Sequence, residues 1–359
     1  MHQHGSFRGN SPIRGRLALG LAAFCVMVLG MAGAGPAAAD TVLVTIPAGD
    51  GPDGVAVTPD GSHVYVTNTN SSSVSVIDTG SNTVVGTVTV GDFPRGIAVT
   101  PSGSRVYVAN VDDHSVSVIE TGSNTVVGTV AVGNSPSGVA VAPDGSRAYV
   151  TNTGASSVSV VDTSSNTVVG TVAVGDFPIG VAVDPSGSRV YVTNTGDASV
   201  SVIETAANNV VATISVGDNP FGVAVAPDGS RVYVANSTGD TVSVIETADN
   251  TVVDTVAAGT GPSGVAVAVT PLGSRVYVSN AGDASLSVIE TADNTGIETA
   301  PVGGTPIGVA ITPDGSRVYV ANHAGDTVSV IAVGKCFGSL CIDAGWLTGN
   351  GSGTGRMFS

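Results

Sequence analysis

The sequence predicts an all-β fold, a seven-bladed β-propeller with four antiparallel strands per blade. Three observations predict it: a strict internal repeat, a strand-and-turn composition, and short alternating runs between turn residues. Tyr occurs only at 65, 107, 149, 191, 233, 277 and 319, a step of 42 residues except for one of 44, where residues 265–269 hold an extra Ala-Val pair. Asn68, Asn110, Asn152, Asn194, Asn236, Asn280 and Asn322 follow three residues later, and Pro52, Pro94, Pro136, Pro178, Pro220, Pro262 and Pro306 keep the same step. Val, Thr, Ser and Gly dominate, which favours strands and turns over helices. At 42% hydrophobic the chain is too apolar to be disordered.

Residues 1–39 read as an export signal. A polar stretch with Arg8, Arg14 and Arg16 precedes an apolar segment over residues 17–31, and Ala37, Ala38 and Ala39 offer small residues for cleavage before Asp40. The apolar segment is short for a membrane span. The mature chain then has no transmembrane segment and is expected to be exported to the periplasm, cell surface or medium. Residues 41–49 align without gaps to residues 83–91, one repeat later, which form a fourth strand. They are expected to supply the outer strand of the seventh blade, whose own repeat stops after three strands, and so to latch the ring. Pro47 is acceptable there because outer strands are edge strands.

Residues 94–132 illustrate a complete unit. Residues 96–100 are a short apolar run, 101–104 a tight turn, and 105–110 and 115–119 two alternating strands. Residues 121–124 are a second turn and 125–132 a fourth run. We label the strands A to D from the axis outward. The propeller is expected over residues 40–334. Residues 335–359 fall outside the repeat and are Gly- and Ser-rich, with the chain's one tryptophan, Trp346. Cys336 and Cys341 are the mature chain's two cysteines, and in an exported protein they read as a small disulfide rather than a metal site.

The motifs Tyr65-Val66-Thr67-Asn68, Tyr149-Val150-Thr151-Asn152 and Tyr191-Val192-Thr193-Asn194 resemble the YVTN-type β-propeller repeats of exported and surface-layer bacterial and archaeal proteins. The resemblance covers about residues 41–333. It implies the seven-bladed ring and says little about activity. The repeated Tyr is expected to pack between blades, and the repeated Asn to bond local backbone.

The formal net charge is −16, and removing residues 1–39 takes away three Arg and no acid. Phosphate-driven binding of nucleic acid is therefore disfavoured. The charges sort by loop. The D-to-A and B-to-C loops share one face and carry Asp50, Asp53, Asp92, Asp112, Asp113, Asp176, Asp197, Asp218, Asp240, Asp283 and Asp326, against Arg95, His114 and His323. The excess negative charge is expected on that face, where it would attract cations or a basic partner. On the other face His63, Arg105, Arg147, Arg189, Arg231 and Arg275 open strand B opposite Asp78, Glu120, Asp162, Glu204, Glu246 and Glu290 at the end of strand C, which predicts cross-strand ion pairs. Blade seven has Arg317 but Ala332 in place of the acid.

The repeat also marks its exceptions. Between the Pro and Gly that open strand A stand Asp53, Arg95, Ser137, Ile179, Phe221, Ser263 and Ile307, and Phe93 and Phe177 precede the Pro in two of the loops. This mixed ring is the candidate binding site, a shallow pocket at the channel mouth. It shows no catalytic residues. Asp53 is its one good metal ligand, Ser137 and Ser263 have no evident base, and no cofactor or metal site is expected. The expected function is a non-catalytic, monomeric binding or cell-surface scaffold, its partner a protein, cation or envelope component on the acidic face. The alternative is a metal-dependent lactonase- or lyase-like enzyme with its site at the channel mouth.

Overall fold

The computed structural model describes residues 40–337 and 340–343, those from 335 onward as backbone. Residues 1–39, read as the export signal, and Trp346 lie outside the described residues. The described chain forms seven four-stranded antiparallel sheets, six of them built from consecutive strands. In blade 1, strand A is Pro52–Val57, B is His63–Asn68, C is Ser73–Asp78 and D is Thr83–Thr89. Blade 7 combines Pro306–Ile311, Arg317–Asn322 and Thr327–Ala332 with an outer strand from the other end of the chain, Thr41–Pro47. Thr41 pairs with Ala332 and Pro47 with Thr327, so the N-terminal strand closes the ring. The extra Ala-Val pair lengthens the inner hairpin of blade 6 to Pro262–Thr270 and Gly273–Asn280.

The core is a set of seven layers, each shared by adjacent blades. Tyr65, Val74, Val76 and Val88 of blade 1 pack on Ile97, Val106, Val108 and Ile119 of blade 2. Val64 and Val66 face the other way, onto Ile46, Tyr319, Val328 and Val330 of blade 7. The two-residue strand period thus puts Tyr and its flanking Val residues on opposite sides of each blade. All seven Tyr are fully buried. Burying a side chain of this size is worth about 1.5–3 kcal/mol. The hydroxyl also ties blades together: Tyr65 Oη donates to Asn124 Oδ1 at 2.8 Å, and Tyr319 Oη to Asn82 Oδ1 at 3.1 Å across the ring closure.

Three details differ from the sequence expectations. The repeated Asn does not bond local backbone. Asn68 Nδ2 donates to Ser73 Oγ and Ser75 Oγ of strand C, both at 3.0 Å, and its Oδ1 accepts from the distant Gly49 amide at 3.1 Å. The alternation of strand C points both Ser hydroxyls at it, and the side chain fills the space beside Gly49, where a Cβ would lie 2.5 Å from Asn68 Cγ. The cross-strand ion pairs are mostly not made, although every base stands directly opposite its acid, as His63 does Asp78. Arg231–Glu246 at 3.9 Å and Arg275–Glu290 at 3.7 Å are formed. In four blades the guanidinium reaches a carbonyl just past strand C of the next blade: Arg105 Nη1 donates to Thr163 O at 2.8 Å, Arg189 Nη1 to Thr247 O at 2.7 Å, Arg231 Nη1 to Thr291 O at 2.8 Å and Arg317 Nη1 to Thr79 O at 2.6 Å. The acids close their own turns instead, Asp162 Oδ1 accepting from the amides of Ser164 and Ser165 at 3.0 and 2.9 Å. Lastly, Gly334–Phe337 and Leu340–Asp343, outside the repeat, pair as a two-stranded antiparallel sheet that sets Cys336 opposite Cys341 in register.

Candidate functional site at the channel mouth

Each strand A begins Pro-x-Gly, and the Gly is demanded by the neighbouring blade. A Cβ on Gly96 would lie 2.2 Å from Ser137 O, one on Gly138 2.3 Å from Ile179 O, and one on Gly308 2.2 Å from Asp53 O, closing the circle. The inner strands therefore press backbone against backbone, and the residue between Pro and Gly supplies the variable side chains of the axis. In four blades a hydroxyl stitches this seam: Thr67 Oγ1 accepts from the Gly54 amide at 2.8 Å and donates to Arg95 O at 2.7 Å, with Thr151, Thr193 and Ser279 acting likewise. The sequence held a signal for this, since Thr or Ser stands two residues after Tyr in those blades and Ala in the other three.

All seven predicted channel-mouth residues line one cavity of about 140 Å³: Asp53, Arg95, Ser137, Ile179, Phe221, Ser263 and Ile307. Asp53, Ser137 and Ser263 are buried and the other four half-buried. Arg95 extends across the mouth. Its Nε lies 3.4 Å from Asp53 Oδ2 on the neighbouring blade, and its Cζ lies 5.6 Å from the ring centre of Phe221 on blade 5. The pair is an ion pair at one end and a cation–π contact at the other. Phe93 and Phe177 are not in the cavity lining. They stand exposed in the D-to-A loops with φ of +56° and +52°, a conformation costly for a bulky residue. A larger depression of about 360 Å³, bordered by Ser188, Arg189, Glu204 and Val211, lies on blade 4 away from the axis.

The D-to-A and B-to-C loops meet and are joined by hydrogen bonds. Apart from Asp53, their ten Asp residues are all exposed. Several carboxylates have a second task that spacing did not reveal: they bind the loops together. Asp113 Oδ2 accepts from the Asp92 amide at 2.9 Å, Asp197 Oδ2 from the Asp176 amide at 2.7 Å, and Asp326 Oδ1 from the Gly51 amide at 2.9 Å. His114, in register with Asp240 and Asp326, accepts from the Ser135 amide through Nδ1 at 3.1 Å, which makes it a loop staple. The negative excess is not confined to these loops. The opposite turns and strand ends carry thirteen carboxylates against six Arg, so that face is also negative, though less so than eleven against one.

The sequence model of the family described as "Lactonase, 7-bladed beta-propeller" matches residues 37–127, 124–211 and 249–342. The chain belongs to this family. Among solved structures, the chain is similar to Kuenenia stuttgartiensis hydrazine synthase, with 26% sequence identity and a TM-score of 0.72, over 79% of this chain and 96% of that one. No curated protein matches. In this family member the axial ring offers one carboxylate, and Asp53 is already engaged by Arg95. Among the described residues no three His, Cys, Asp or Glu side chains come together to hold a metal. The residues of the mouth thus do not fit a metal-dependent lactonase.

Proposed function

We propose that the chain is an exported, non-catalytic propeller of the YVTN type that recognises a basic partner through its acidic loop face. The observation that carries this reading is the pairing of a small, Arg-plugged mouth with a face of ten exposed Asp residues on fixed loops. Pockets that enclose a small-molecule ligand hold about 300–1,000 Å³, well above the 140 Å³ at the axis. Fixed surface carboxylates attract a cationic surface over a wide area. The test is binding of poly-L-lysine to the mature protein at low salt. The triple variant Asp112→Asn, Asp176→Asn, Asp218→Asn should weaken it several-fold more than Glu120→Gln, Glu204→Gln, Asp254→Asn, which removes the same charge elsewhere. Equal weakening by both sets would overturn the reading.

A second reading, a lactonase acting at the mouth without a metal, is favoured by the family match and by the Arg95 guanidinium held between Asp53 and Phe221. Turnover of a panel of lactones, abolished by Arg95→Ala, would establish it in place of the first.

A further inference from the structure

The joint between blade 6 and the closing strand holds a buried charged cluster that no other joint has among the described residues. Asp40, just before the closing strand, is 2% exposed. It stands in register with Asn82, Asn124, Asn166, Asn208, Asn250 and Asn294, the residue before strand D in every other blade. Its Oδ2 accepts from Tyr277 Oη at 3.0 Å and lies 3.7 Å from Arg275 Nη1, while Oδ1 accepts from the Gly334 amide at 3.3 Å. Its own amide donates to Glu298 Oε1 at 3.0 Å. Glu298 is a second departure from the repeat, for Gly86, Gly128, Gly170, Ala212 and Asp254 occupy its position elsewhere. Arg275 Nε also lies 3.7 Å from Glu290 Oε2. Asp40 and Glu290 thus share one guanidinium, Glu298 adds a third carboxylate bonded only to the Asp40 amide, and Tyr277 contributes a neutral donor.

Among the described side chains the cluster has more negative than positive charge, and the Asp40 nitrogen, bonded to Glu298, is placed to supply a positive one. We infer that the Ala39–Asp40 bond is a processing site and that Glu298 is the receptor for the new N-terminus it creates. The inference rests on the export reading above. In the cleavage a signal-removing endopeptidase directs water to the Ala39 carbonyl. The C–N bond breaks, Ala39 leaves as a carboxylate, and the Asp40 nitrogen leaves as an amine that takes up a proton. The amide hydrogen bond to Glu298 becomes a charge-assisted one. Burial pushes the carboxyls of both Asp40 and Glu298 above their ordinary range, the mark of a site where negative charge is undercompensated. Processing and ring closure are thereby coupled: an uncut chain would pair the closing strand but leave this joint with excess negative charge.

The test compares a protein that starts at Asp40, released from a fusion partner without leftover residues, with one that keeps Ala37, Ala38 and Ala39. The extended form should melt about 2–4 °C lower at pH 7, a shift on the scale of one interaction in a domain of this size. In the Glu298→Gln background the two should melt together. An α-amino group has an ordinary pKa near 8, and pairing with Glu298 raises it. The advantage is therefore present between the raised Glu298 carboxyl and the ordinary amine value, and is lost as pH rises through the raised amine value or falls through that of Glu298. Equal melting in the Glu298 protein, or a difference that survives Glu298→Gln, would overturn the receptor role. Intact mass of the product secreted from the full-length gene should give Asp40 as first residue. An exported protein with another first residue would sink this inference alone, and an uncut protein retained in the cell would sink the export reading with it.

Discussion

At the scale of the residue, the repeat itself separates structural from variable positions. Seven copies of Tyr, Asn and Pro-x-Gly could be read as structural from the sequence, since a ligand site does not need seven identical members. Their partners could not be read, because each partner lies on another blade or strand. Asn68 meets the Gly49 amide only once strand B folds back beside the loop 19 residues earlier, and Arg95 meets Phe221 three blades away across the axis. The glycines give a sharp test. Gly138→Ala would place a methyl 2.3 Å from Ile179 O, a backbone atom that can move only with its blade. Overpacking of this kind costs about 1–3 kcal/mol or more. Gly122, in a C-to-D turn, has nothing within 4 Å of its Cβ position and no left-handed φ. Gly122→Ala should therefore be neutral or stabilising by up to about 1 kcal/mol. Denaturant unfolding of the two variants should separate them in that order, and equal stabilities would mean the inner strands are not in backbone contact.

At the scale of the element, strand and turn placement was legible because Gly, Pro, Asn and Ser punctuate every run, and the structure adds what the turn acids do. Asp60 accepts from Thr58 Oγ1 at 2.6 Å and from the amide and hydroxyl of Ser62 at 3.0 and 2.8 Å. These bonds hold its carboxyl at about 2, and those from Ser164 and Ser165 hold Asp162 at about 2 as well. Asp78, Asp144, Asp228 and Asp293 are lowered in the same way by the Ser or Thr of their own turns. A carboxyl lowered by folding stabilises above its unfolded pKa, near 4, and that contribution disappears as pH falls through the folded value. The melting temperature should thus fall between about pH 4 and pH 2, as turns around the whole ring lose their acceptors. Asp40 and Glu298, raised by burial, act with the opposite sign, adding stability as pH falls toward 4 and nothing further below it. A melting temperature flat from pH 4 to pH 2 would show that these turn bonds do not stabilise the fold.

At the scale of the molecule, the ring is only as closed as its one composite blade. Six blades form from contiguous chain, whereas the seventh waits for residues about 280 positions apart in sequence, as Val44 pairs with Val330 and Ile46 with Val328. The closing strand has a mixed role. Six of its seven residues are exposed, so most of it buries little, but Ile46 enters the layer shared with blade 1. The strand also covers an edge formed by Val328, Val330 and Ile331, all fully buried. Two bonds across the closure do not depend on it, Tyr319 Oη to Asn82 and Arg317 Nη1 to Thr79 O. A mature chain begun at Ala48 should therefore still form six blades and hold the seventh loosely in place. Its melting temperature should drop by about 10 °C or more, since removing Ile46 alone costs about 2–5 kcal/mol and the strand's backbone bonds are lost as well. The bare edge of strand C should also pair between molecules, visible as dimers or larger species in light scattering. A synthetic peptide of residues 40–49, added in excess, should dock on that edge as an added strand, restoring the melting temperature and suppressing association. Unchanged melting in the shortened chain would mean that the inner hairpins and the inter-blade stitches hold the ring closed without a latch.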